Sequence, residues 1–75
     1  MTVKEHLREL LKTGKSEEEI RAAIEPKLAP GCKLRIYVES CFTSNGTSGY
    51  KQCAEIAGCD DPKNNTTGCG ACQGG

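Results

Sequence analysis

The stretch Lys33, Leu34, Arg35, Ile36, Tyr37, Val38, Glu39 alternates without a break between two kinds of side chain. Leu34, Ile36 and Val38 fall on one face, and Lys33, Arg35, Tyr37 and Glu39 on the other, which is the pattern of a half-buried strand. One strand cannot satisfy its own backbone N–H and C=O groups. A partner strand must therefore come from later in the chain or from another subunit, the second case being a homodimer through strand pairing.

Upstream of this strand the chain reads as helical. Thr2-x-x-Glu5 fits a capping box, and Val3, Leu7, Leu10 and Leu11 recur at helical spacing. Gly14 sits where a glycine stop belongs. Ser16-x-x-Glu19 repeats the capping signature, with Glu17, Glu18 and Glu19 complementing the positive end of a second helix. Pro26 disfavours helical geometry at Glu25 and ends that helix. The two helices form a hairpin over residues 1–30, a leader-like or packing segment, and the breaker run Pro26 to Gly31 separates it from a cysteine-rich segment over 31–75. The predicted fold is a small α+β domain: an N-terminal helical hairpin, a short β-sheet and a cross-linked C-terminal part.

Downstream, Thr43 to Ser48 reads as a loop. Tyr50 to Ala57, opened by Ser48 and stopped by Gly58, reads as a short third helix. Asp61-Pro62-Lys63-Asn64 suits a type I turn. The remainder, from Asn65 on, is polar and glycine-rich, and any order there must come from cross-links or metal.

The strongly apolar candidates for a core are Val3, Leu7, Leu10, Leu11, Ile20, Ile24, Leu28, Leu34, Ile36, Val38, Phe42 and Ile56. That is a thin interior for 75 residues, and chains of this size commonly need staples. The six cysteines, Cys32, Cys41, Cys53, Cys59, Cys69 and Cys72, all follow the helical hairpin. Cys32 and Cys41 flank the strand, roughly 25–30 Å apart at about 3.3 Å per residue, too far to bond to each other. Cys32 shares the parity of Leu34 and points at the core, whereas Cys41 points the other way.

Three chemistries suit these residues. An even cysteine count favours three disulfides, with the connectivity open. The sequons at Asn45, Asn64 and Asn65 fit an extracellular life, although chance in an Asn- and Thr-rich segment accounts for them as well. Cys69-Gly-Ala-Cys72 has the spacing of a metal knuckle, and with His6 on the helical hairpin, an all-cysteine Zn or iron–sulfur site is the alternative. Cys69 and Cys72 as a redox or sulfur-carrying pair is the third. Gly74-Gly75 is similar to the tails of ubiquitin-like sulfur carriers, but those open with strands and this chain opens with helices.

A charged helical leader followed by a Cys-, Ser-, Thr-, Gly- and Asn-rich segment also resembles, in layout, ribosomally made and enzyme-modified peptide precursors. That resemblance implies a maturation enzyme or export machinery as partner, and a payload beginning near Cys32. Other classes lack the residues they need. Lysines and arginines balance the acids, so there is no footprint for nucleic acid, and no apolar run spans a bilayer. With His6 as the only imidazole no catalytic set is recognisable, and no catalytic residue is assigned. The N-terminus lacks the apolar stretch of a secretory signal, so synthesis in the cytoplasm is expected, with export by another route. The function expected is a non-catalytic, small cysteine-rich peptide or peptide precursor held by disulfides or other cysteine cross-links. A structural or interaction domain with idle cysteines is the remaining alternative.

Overall fold

A computed structural model describes residues 2–74. Helix α1 (Val3–Lys12) opens with the expected box: the Thr2 hydroxyl accepts from the Glu5 N–H at 3.2 Å and donates to the Glu5 carboxylate at 3.0 Å. Gly14, at φ 74°, makes the left-handed turn that ends it. Helix α2 (Glu17–Ile24) starts at Ser16, whose hydroxyl accepts from the Glu19 N–H. A single 3-10 turn, Glu25–Lys27, carries Pro26 in its first positions, where a missing N–H costs nothing.

Four strands follow: β1 (Lys33–Phe42), β2 (Ser48–Ala57), β3 (Thr66–Cys69) and β4 (Gln73–Gly74). They form one antiparallel sheet in the order β1-β2-β3, with β4 also paired to β2. The partner that β1 requires is therefore the segment read above as a third helix. Tyr50 to Ala57 is a strand, not a helix, and Cys53 lies within it. Its residues carry both periods: Tyr50, Cys53, Ala54 and Ala57 would line a helix face. The pairing of ten residues with β1 outweighs local helix propensity.

The helices cover one face of the sheet, α1 lying over β2 and β3. Leu7, Leu11, Ile20 and Ile24 from the helices meet Ala54 and Ile56 from β2, all fully buried. Val3, Leu10, Leu28, Leu34 and Ile36 pack around them. Val38 and Phe42 do not join this core as expected, being 62% and 75% exposed. The reason is length. A ten-residue strand runs about 33 Å, the molecule measures 41 × 20 × 19 Å, and the far end of the β1–β2 hairpin projects past the helices as an arm.

Candidate functional site

All six cysteines are paired: Cys32 with Cys59, Cys41 with Cys72, and Cys53 with Cys69. Of the three cysteine chemistries, the structure takes the first. Cys32 and Cys41 bond to other partners, as the length of β1 requires. Cys69 and Cys72 do not converge on a common point, because Cys69 faces Cys53 on β2 and Cys72 reaches back to Cys41 on β1.

Each bridge has a backbone cause. Cys53 and Cys69 are directly opposite in the β2–β3 ladder, with Cα atoms 4.0 Å apart, which is the close spacing of a pair that exchanges no backbone hydrogen bonds. Cys32 enters β1 and Cys59 leaves β2, so their bridge closes the base of the hairpin, and both pack against the core. Gly31 (φ 82°) and Gly58 (φ 75°) shape the backbone beside that bridge, and a Cβ at Gly31 would collide with the Asp60 backbone and carboxylate. Nearby, the Asn65 side chain accepts from the Cys59 N–H at 3.2 Å. Asp61 caps the short turn Pro62–Asn64 by accepting from the Lys63 N–H at 3.0 Å, where a turn was expected.

The third bridge ties down the tail. Cys72 sits between β3 and β4, and β4 lies so close to Gly49 that a side chain there would strike the Gln73 carbonyl. Gly49 is also the residue opposite Cys41. A glycine at that one position lets the tail approach near enough for Cys72 to reach Cys41.

The donor set for Zn or an iron–sulfur cluster does not fit this arrangement. Such sites take thiolates, and every cysteine sulfur here is bonded to another. Among the described residues the one convergence of metal-type donors is Glu39 with Cys53 and Cys69, and those two sulfurs form a bridge. His6 is half-buried on α1, with the Lys27 ammonium 3.5 Å from its Nδ1, remote in role from the cysteines. No helix among the described residues is long and apolar enough to cross a membrane.

Away from the helices, the outer sheet face carries cross-strand ion pairs, Arg35–Glu55 at 3.4 Å and Glu39–Lys51 at 3.8 Å, and Arg35 lies over the Tyr37 ring at 4.6 Å. On the arm's other face Val38, Phe42 and Tyr50 stand exposed. Below them, a cavity of about 280 Å³ between the α1 end and the arm is lined by Leu11, Val38, Tyr50, Ala71 and Gln73 among others. Sequence reasoning did not find this exposed apolar surface. The alternation of β1 marks Val38 as a core position, and only the reach of the helices decides where the core stops.

Comparison with family models, with curated proteins and with solved structures finds no match to this chain.

Proposed function

We propose that this protein is a non-catalytic, disulfide-stapled binding protein that works in an oxidising compartment through the surface of its β1–β2 arm. The observation carrying this reading is the pairing of all six cysteines, which suits surroundings where thiols are not kept reduced. Bonded sulfurs serve as neither nucleophiles nor metal ligands, and the function read here is recognition by surface. The apolar side chains Val38, Phe42 and Tyr50, gathered on one projecting element, supply such a surface.

The intact chain is the working form in this reading, rather than a payload released from a leader. Residues 1–30 contribute Leu7, Leu11, Ile20 and Ile24 to the core, so cutting near Cys32 would leave Ala54 and Ile56 uncovered.

The test is the mass of the protein isolated from its source under thiol-blocking conditions. Three disulfides and no other change lower the mass by about 6 Da relative to the fully reduced chain, with no cysteine alkylated until reductant is added. A protein recovered with its cysteines alkylated, or as a fragment lacking residues 1–30, overturns the reading.

A further inference from the structure

We propose that the arm binds a second copy of this chain, edge to edge along β1, with Tyr37 of the two copies meeting on the two-fold axis. The inference rests on the reading of the arm as a contact surface and names its partner.

β1 is an outer strand of the sheet. The Thr43 N–H donates to the Thr47 carbonyl at 2.8 Å at the hairpin turn. Antiparallel pairs alternate between bonded and non-bonded, so the odd-numbered residues of β1 turn their N–H and C=O groups toward β2. The groups of Leu34, Ile36, Val38, Ser40 and Phe42 point outward. No other backbone hydrogen bond among the described residues reaches them. β1 holds no proline, and its register with β2 is continuous from Lys33 to Phe42, so no bulge interrupts the edge.

The choice of partner follows from what a second β1 would place opposite. Free groups meet free groups only where even-numbered residues face even-numbered ones. Centred on Tyr37, antiparallel pairing runs through residues 33–41. It sets Arg35 opposite Glu39 twice, once on each side of the axis. It also sets the exposed Val38 opposite Ile36 of the second copy, and brings the Phe42 ring diagonally toward Leu34. A register centred on Val38 sets Glu39 against Tyr37 and Arg35 against Cys41, with no charge pair. One centred on Ile36 pairs Lys33 with Glu39 but uses only residues 33–39. The sequence of β1 is thus complementary to itself in one favoured register. Helix α1 lies over β2 and β3, and neither helix makes β1 one of its main contacts.

Sedimentation equilibrium of the oxidised full chain, from micromolar to millimolar concentration, tests this. A monomer–dimer equilibrium is expected. Arg35→Glu alone and Glu39→Arg alone should each weaken it about tenfold, since each turns two cross-seam attractions into repulsions, besides reversing one pair with β2, Arg35–Glu55 or Glu39–Lys51. An equimolar mixture of the two variants should recover the parent's affinity as a heterodimer, because both cross-seam pairs become opposite in sign again. A parent monomeric throughout overturns the proposal, and so does a mixture that recovers nothing. Should a variant fail to form its three disulfides, amide exchange on the parent decides. Protection that rises with concentration at Ile36 and Val38, but stays constant at Arg35 and Tyr37, supports the seam, and its absence sinks it. A monomer with the oxidised mass intact would remove this inference and leave the proposed function standing.

Discussion

Gly49 shows how much of this molecule turns on a missing side chain. It is buried on β2, opposite Cys41 on one side and paired with Gly74 of the tail on the other. An added methyl would meet the Gln73 carbonyl, a backbone atom that cannot swing aside alone. Gly49→Ala should therefore hold the tail away and leave Cys41 and Cys72 unbonded after oxidative refolding, while the other cysteines stay blocked to alkylation. The stability lost should be about 3–4 kcal/mol, the chain-entropy value for a loop of this size. Gly68→Ala is the control, because a Cβ there meets only side-chain atoms of Leu11 and Arg8 at ordinary contact distance. If the thiols of Cys41 and Cys72 are as inaccessible in Gly49→Ala as in the parent, the close approach of the tail is not what aligns this bridge. Nothing in the bare sequence sets Gly49 apart from the eight other glycines, since its role depends on residues 24 positions downstream.

Among the elements, those set by neighbouring residues were legible and those set by distant ones were not. α1, α2 and β1 carry their own caps, stops and alternation, and each stands where its local signals put it. β2 carries two periods at once, and only the demand of β1 for a partner resolves them. That demand was itself readable, and the segment able to meet it was the one assigned to a third helix. The cysteine pairing depends wholly on this step, because Cys53 meets Cys69 only when Tyr50 to Ala57 is extended and flanked by β3. At this scale the α1 cap gives a pH prediction. Hydrogen bonds from the Thr2 hydroxyl and the Thr2 backbone hold the Glu5 carboxyl below its ordinary value. A depressed folded-state pKa contributes stability above the ordinary carboxylate range and loses it as pH falls through the folded value. NMR titration should show the Glu5 N–H, bonded to Thr2, losing its protection from exchange at the α1 start as Glu5 protonates. Glu5→Gln should remove that pH dependence. A Glu5 titration at the ordinary carboxylate value would contradict it.

For the whole molecule, the question is whether six buried side chains or three bridges hold the sheet to the helices. Leu7, Leu11, Ile20, Ile24, Ala54 and Ile56 form one small cluster at the helix end, and the arm extends well past it. The bridges span 27, 31 and 16 residues of sequence. At about 3–4 kcal/mol for each such loop, they stabilise the fold by roughly 10 kcal/mol, an upper value because the loops overlap. A domain's whole stability is about 5–15 kcal/mol, so the reduced chain should lie near or below the point of unfolding. The oxidised protein should melt in one cooperative transition, and adding reductant should abolish it. Amide protection along β2 and β3 should then vanish, and any residual order should be confined to α1 and α2, whose caps are local. The bridges also differ in their surroundings. Removing Cys53 with Cys69 relaxes the shortest loop but exchanges a fully buried sulfur. Replacement by alanine should therefore be milder than replacement by serine at Cys53, where a buried hydroxyl without a partner adds a desolvation cost, whereas at the exposed Cys69 the two should differ little. At Cys41 and Cys72, both half-buried, the two replacements should differ less than at Cys53. A reduced protein that still melts cooperatively, with β2 amides protected, would show that the small core suffices and that the bridges only reinforce it.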